Sequence, residues 1–464
     1  MIKLIVPEHC TEEINYVVKI IFSRFWNLEY SIENSTNCNF QIDLGKGSIW
    51  LPDIFFKKYN HDGINISVLP ELPLKEMQLS AIQYFDNSEF RKIPVLYGLK
   101  KNPGDYIVTN GSSIHIDIDI FGSIFFLLTR YEEYLVSKND KHSRFPVSES
   151  LAFKAGFLDR PLVNEYLEIL WEFINILSPG LSRRKQEFSM EPSHDVDVPF
   201  FSYGRSRYRV FRETISEMVV RRRLNVLPEL LIGILQTKYA GYEKDPYFTF
   251  RYIMDQSEER NIKSTFYFIT DNSAGEIDCS YNIDDAEIKK LIKEIASRGH
   301  NIGLHASYNS YLDKNKLLSE QSRLSKISEE LGIEQKSHGV RQHYLRFSVP
   351  DTFKNQESAG ITYDSTLGFA EKPGFRCGIC YEYPVFDLVQ KRQMSIIEKP
   401  LVVMECSLIL PRYAGLRKSE SVAEDIIKYK NTCRKYNGRF TLLWHNNHLA
   451  YDKERSWYES ILDA

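Results

Sequence analysis

The sequence predicts an α/β protein of two parts: a smaller mixed α/β domain over residues 1–185, followed by a distorted (β/α) barrel over residues 186–464. Three observations predict it. A chain of 464 residues suits two or three domains at about 150 residues each. Hydrophobic residues at 43% and aromatics at 13% can fill cores and exclude a disordered chain. Beyond residue 185, short apolar runs that end in polar clusters alternate with helical patterns, which is how a parallel sheet reads.

In chain order, Met1–Val6 reads as a strand and Ile14–Phe25 as a helix by its 3.6-residue apolar period. Asn110–Ile118 alternates apolar and polar residues after a turn signal, as a half-buried strand does. Ile120–Leu135 is an apolar helix that turns charged at its end, and Val163–Leu177 is a second strong helix. The charged stretch Ser182–Ser189 opens the second pattern. There the strands FSMEPSHDVD, IKSTFYFITD, HNIGLHASY, HGVRQHYL, PLVVMECSL and FTLLWHNN are separated by helical stretches, among them Asp284–Ser297, Asn315–Leu331 and Val422–Tyr436. In such architectures chemistry sits at the carboxyl ends of the strands, where these polar clusters fall.

A helical insertion at about 200–242 carries seven arginines between Arg205 and Arg223 (205, 207, 209, 212, 221, 222 and 223), followed by the apolar run VLPELLIGIL. It reads either as a solvated basic face packed on the barrel or as a peripheral surface for an anionic lipid headgroup or a phosphate-bearing substrate. The whole chain is balanced, with 59 basic and 62 acidic residues, so no nucleic-acid partner is expected. No apolar run reaches the length of a spanning helix, and the first residues lack the apolar core of a signal peptide. A cytoplasmic protein, in contact at most with the inner face of a membrane, is expected. Seven scattered cysteines do not make a disulfide framework, and the single Cys377-Gly-Ile-Cys380 pair lacks the four ligands of a structural zinc site.

Four clusters carry chemistry. In His194-Asp195-Val196-Asp197, residues two apart in a strand share a face, so two carboxylates can meet one pocket. One can hold a metal while the other serves as a general base, or the pair can simply cap a turn. His305, in Gly299–Asn309, arrives at a strand's polar end as a metal ligand or a structural donor. Arg341, in Gly339–Tyr344, can fix a carboxylate base bidentately or make a surface ion pair. His445, in Leu442–His448, is suited to protonate a leaving amine near pH 7.

These clusters, in this order over about 250 residues, resemble the motifs of the polysaccharide deacetylase family, the NodB-homology or family-four carbohydrate esterases. SHDVD resembles its Asp-x-Asp first motif, KSTFYFIT the strand that follows, GHNIGLHAS its second motif, GVRQHY its Arg-x-Pro-Tyr motif and LLWH its closing Leu-x-His. Tyr363–Arg376 occupies the place of its loosely defined fourth motif. The N-terminal stretch from IDIFGSIFFLLTRYEEY to the helix ending at Leu177 resembles a domain of unknown function that precedes deacetylase-like domains in bacterial surface-polysaccharide clusters. The resemblance implies a metal-dependent hydrolase that removes an N-acetyl or other acyl group from an amino sugar, nucleotide- or lipid-linked, during capsule or O-antigen assembly. It implies Asp195 as base, Arg341 as the residue orienting that base, the backbone N–H of Tyr344 as oxyanion donor and His445 as acid. It implies a divalent metal, zinc by donor preference, on Asp197 and His305. His194, His343, Tyr308 and Trp444, which flank the motifs, are expected to meet the substrate.

One position departs from the pattern. The second motif's closing histidine is Asn309 here, and a carboxamide is a poorer zinc ligand than an imidazole. Either Asn309 coordinates all the same, or His194, His343 or His448 supplies the ligand, or the site is metal-free, as in relatives that hydrolyse cyclic amides. A silent sugar-binding or scaffold protein on the same barrel is the remaining alternative.

Overall fold

The computed structural model describes residues 2–37, 39–78, 92–99, 106–136, 138–203, 231–235, 241–279, 281–416 and 421–464, and residues 206, 208, 210–212, 214, 215 and 237. Contacts divide the chain into two units: residues 1–138, 148–187 and 377–394, and residues 139–147, 188–376 and 395–464. The change of unit at 187/188 lies beside the boundary expected at 185. The two short segments that join the other unit break the chain order and were not foreseen.

The first unit holds β1 (Ile2–Pro7), β2 (Tyr30–Ser35), β3 (Asn39–Asp43), β4 (Ser48–Pro52), a separate hairpin of β5 (Lys75–Gln78) and β6 (Lys92–Val95), then β7 (Ile107–Asn110) and β8 (Ser113–Ile116). Its main sheet runs β2-β1-β3-β4-β8-β7 with mixed directions. The wholly buried helix Ile120–Leu128 fills its core. Asp119 caps that helix: Oδ1 accepts from the Gly122 N–H at 2.7 Å, while Oδ2 accepts from the N–H groups of Ile54 and Phe55. A side chain at Gly122 would lie 2.4 Å from both Asp119 and Phe55, so only glycine fits. The apolar run expected as one helix to Leu135 breaks at Arg130, whose φ of 54° ends the first turn series before a short helix Tyr131–Leu135. The strand expected from Asn110 is the turn and second strand of the β7–β8 hairpin, because Asn110-Gly111 is a turn dipeptide.

The second unit follows with β9 (Ser189–Val196), β10 (Thr265–Phe268), β11 (Asn301–Ala306), β12 (Gly339–Gln342) and β13 (Tyr363–Asp364). After β14 (Tyr383–Asp387), which lies in the first unit's residues, come β15 (Arg392–Glu398), β16 (Val403–Met404) and β17 (Arg439–Leu443). Eight consecutive strands of the sheet run β15-β13-β12-β11-β10-β9-β17-β16, and every pairing among them is parallel. The sheet is a curled half-barrel. Among the described residues no ladder joins β16 back to β15, so the expected barrel is open at that seam. Helices Phe250–Glu258, Ala286–Ser297, Lys314–Glu330 and Val422–Lys435 separate the strands, each burying one apolar face. Parallel strands place all their carboxyl ends on one side, which gathers residues from five strands.

Of the seven insertion arginines, 205, 207, 209, 221, 222 and 223 lie outside the described residues. Among the described residues no helix is long and apolar enough to cross a membrane. Among the described residues Cys10, Cys380 and Cys406 are free thiols, and Cys377 and Cys380 are buried.

Candidate functional site

Asp195 lies at the end of β9, paired in register with Tyr267 of β10, and Asp197 follows one residue past the strand. His305 stands on β11, opposite Arg341 of β12. Gly303, two residues earlier, leaves room for the Tyr267 ring, which a side chain there would meet at 2.4 Å. That ring lies 5.0 Å from the Arg341 guanidinium.

The tautomers of the two nearest histidines follow from their partners. His305 Nδ1 lies 2.8 Å from the Arg341 carbonyl, which can only accept, so Nδ1 carries the proton and Nε2 presents a lone pair. That lone pair faces Asp197 Oδ1 at 3.2 Å and Asp195 Oδ2 at 3.6 Å. His343, at the start of the turn after β12, gives its Nδ1–H to Asp278 Oδ1 at 2.9 Å and turns Nε2 toward Asp197 Oδ1 at 3.6 Å. Asp278 is itself fixed by the N–H groups of Ser273, Ala274 and Tyr308. Burial works against its charge, but His343 and these N–H donors hold it down at about 2.

Asp197 Oδ1 accepts no hydrogen bond although it is buried. Ligand atoms of Asp197, His305 and His343 all lie within 4.8 Å of one another. An unbonded carboxylate oxygen facing imidazole nitrogens, one of them a bare lone pair, is repulsive unless positive charge lies between them. Burial disfavours the His343 imidazolium, yet Asp197 and Asp278 overcome it and raise the group to about 9. Burial likewise works to raise Asp197, and the charge of His343 beside it holds it well below the usual carboxylate range. Two imidazoles and a carboxylate, each imidazole bonded at its far nitrogen, are a donor set that zinc accepts.

The remaining groups surround this cluster. Arg341 is buried and donates from one guanidinium nitrogen to Ser193 Oγ and Ser365 Oγ, and its Nε lies 3.9 Å from Asp195 Oδ1. Tyr344 has φ 61°, a left-handed backbone unusual for a bulky residue, and its carbonyl accepts from Arg144 at 2.9 Å. His445, just beyond β17, turns Nε2 toward Asp197 Oδ2 at 3.7 Å and bonds Glu405 through Nδ1 at 2.7 Å. Burial would lower that imidazolium; Glu405, followed by Cys406, raises it well above the usual histidine value. These groups open on a solvent-connected cleft with a cavity volume of about 100 Å³. Leu345, Ala370, Met404, Cys406 and Leu443 form an apolar wall, and Arg144, Arg412 and Tyr413 a polar one.

The structure thus brings together Asp195, Asp197, His305, Arg341, His343, Tyr344 and His445, and leaves four expected residues aside. Asn309 does not join the ligand group: its amide donates to the Ser273 carbonyl at 2.9 Å, and its oxygen accepts from Arg346. After β11 the chain enters a turn and a short 3-10 helix (Ser310–Leu312), so position 309 is exposed and not carried back over His305. His343 stands in its place. His194 and Trp444 were expected to meet substrate, but strand alternation turns each away from its neighbour in the site. His194 is fully buried, with Nδ1 bonded to the Trp444 carbonyl at 2.7 Å and its ring 5.0 Å from that of Phe266. Burial lowers this imidazole to about 3, so it is neutral. Tyr308 does not line the cleft; its hydroxyl bonds His142, and Arg346 lies 3.9 Å from its ring centre. Sequence reasoning missed Asp278, Arg144, Arg412, Glu405 and Cys406. Only the last two left a signal, standing directly after a strand in PLVVMECSL.

Residues 2–179 match a family described as of unknown function, DUF7033. No curated protein matches the chain. Solved structures similar to it include a Mycobacterium smegmatis protein assigned to the polysaccharide deacetylases, at 15% identity and TM-score 0.38 over 60% of this chain and 84% of that one. An allantoinase follows at 11% identity and TM-score 0.34, over 60% of this chain and 83% of that one. A chitin deacetylase of the fungal pathogen Colletotrichum lindemuthianum gives 14% identity and TM-score 0.27, over 46% and 74%. At these values the likenesses assign no activity, and the fold rests on the strand order above.

Proposed function

We propose that this protein is a metal-dependent hydrolase that removes an acyl group, acetyl in the first instance, from the nitrogen of an amino sugar. The observation that supports it most is the unbonded Asp197 oxygen facing the Nε2 atoms of His305 and His343, with Asp195 and His445 on either side. Asp197, His305 and His343 would hold the cation, and when bound it would act as a Lewis acid on the scissile carbonyl. Asp195, oriented by Arg341, takes the proton of the attacking water. The Tyr344 N–H donates to the oxyanion. His445, kept protonated by Glu405, gives its proton to the departing amine, and the apolar wall accepts the acyl methyl. The setting proposed with this chemistry is cytoplasmic assembly of a bacterial surface polysaccharide, on a nucleotide- or lipid-linked sugar. Peripheral contact with an anionic membrane through Arg205–Arg223 is proposed on the sequence alone.

The test is acetate release from N-acetylated amino sugars, free and nucleotide-linked, with and without chelator. Release that stops on chelation and returns with zinc or cobalt is expected. Release indifferent to chelator would turn the reading to a metal-free amidase, and no release from any N-acylated sugar would leave a binding protein.

A further inference from the structure

Beside the Asp197 group, and reaching the cleft through Cys406 and His445, a second set of ligand-bearing side chains converges. Glu405 and Cys406 follow β16, and His445 and His448 follow β17, its neighbour in the sheet. Their ligand atoms lie within 4.8 Å of one another. Cys406 Sγ is 3.5 Å from Glu405 Oε1, 3.7 Å from His445 Nδ1 and 4.0 Å from His448 Nδ1. Glu405 Oε1 is 2.7 Å from His445 Nδ1 and 2.9 Å from His448 Nδ1.

Tetrahedral zinc, with ligands at about 2.0–2.3 Å, places its ligand atoms roughly 3.3–3.8 Å apart. The three sulfur distances already lie near that range. The two nitrogen–oxygen pairs are closer because they are hydrogen bonds, and a cation replaces such bonds when it enters. Glu405 is completely buried, and its second oxygen, Oε2, has no hydrogen-bond partner. A buried carboxylate with a spare oxygen, a thiol and two imidazoles make a complete ligand set, softer than the first group because it contains sulfur.

We propose that Glu405, Cys406, His445 and His448 form a second metal site, separate from Asp197, His305 and His343, that takes a thiophilic divalent cation such as zinc. The cation takes Nδ1 of both histidines: the Nδ1 proton of the His445 imidazolium and the Cys406 thiol proton pass to solvent, His448 shifts its Nδ1 proton to Nε2, and each imidazole is left with one proton on Nε2. His445 is then a ligand and no longer an imidazolium. Resting on the reading of His445 as acid, filling this site stops turnover while the first site stays loaded, so excess zinc inhibits.

The test uses the full chain titrated with cobalt(II) alone. A thiolate-to-cobalt charge-transfer band in the near-ultraviolet is expected as the second equivalent binds, because only this group contains sulfur. Cys406→Ser should abolish the band and the second equivalent and keep the first. His448→Gln, chosen in case the serine variant fails to fold, should weaken the second equivalent alone. Asp197→Ala should lose the first equivalent and retain the band. One equivalent without a sulfur band at saturating cobalt would overturn the proposal. These readouts need no substrate, so they stand whether or not acetate is released.

Discussion

The two ligand groups on the cleft use the same residue types in opposite ways. In the Asp197 group, Nδ1 of each histidine is committed outward, His305 to a carbonyl and His343 to Asp278, and Nε2 faces an oxygen that bonds nothing. In the Glu405 group, Nδ1 of both histidines turns inward onto one carboxylate oxygen that already accepts two ring nitrogens and the His445 N–H. The first leaves a carboxylate oxygen without a hydrogen bond at its centre. The second bonds one carboxylate oxygen fully, leaves the other, Oε2, without a partner, and carries its charge on the His445 imidazolium. The difference teaches that the partner at the far nitrogen decides whether a histidine near a carboxylate reads as a ligand or as an acid.

The largest effect should come from emptying the first group. Asp197→Ala should lose the metal of that group and several orders of magnitude of turnover, read by metal analysis beside acetate release. Next, Asp195→Asn and His445→Ala should each cut kcat by about 10²–10⁴-fold. Asp195→Asn should keep its metal; if it lost metal, the division between base and ligands would fail. Smaller again, Asp278→Asn should weaken metal binding by roughly 10–100-fold by releasing the far nitrogen of His343. Asn309→Ala should leave metal content unchanged, and a loss there would return Asn309 to the ligand set.

The smallest effect concerns a buried carboxyl outside the two ligand groups, opposed only weakly by the charge of Lys316. Burial raises Glu320 from its ordinary 4.5 to about 7, against its bonds from Ser307. The folded state therefore holds more protons than the unfolded one between those values, and stability falls as pH rises through that window. Glu320→Gln should remove this slope from the unfolding midpoint measured against pH; an unchanged slope would show that burial does not govern this carboxyl.

How much of this was legible follows from what each residue depends on. β9, β10, β11, β12 and β17 could be read because each is a short apolar run with its chemistry at the carboxyl end, and strand alternation placed Asp195 beside Asp197. The same alternation, applied to His194 and Trp444, would have turned them inward. β13 has two residues and β14 and β15 lie outside any recognisable helix–strand rhythm, so they left little pattern. Asp278 was hidden because it reaches His343 from a loop 65 residues away, a pairing fixed by tertiary packing alone. The exchange of Asn309 for His343 has the same origin: spacing suggests a ligand, but the path of the chain after the strand decides where it points.

The segment 139–147, which precedes the rest of its unit in the chain, has a practical consequence for dissecting the protein. It supplies Arg144, which lines the cleft and holds the Tyr344 carbonyl, and His142, which bonds Tyr308. A fragment beginning at residue 188 would carry every motif and still lack that brace, while keeping residues 377–394 cut off from their own unit. Truncation at the apparent boundary therefore removes part of the cleft, and protease nicking with both pieces retained is the gentler way to separate what each unit does.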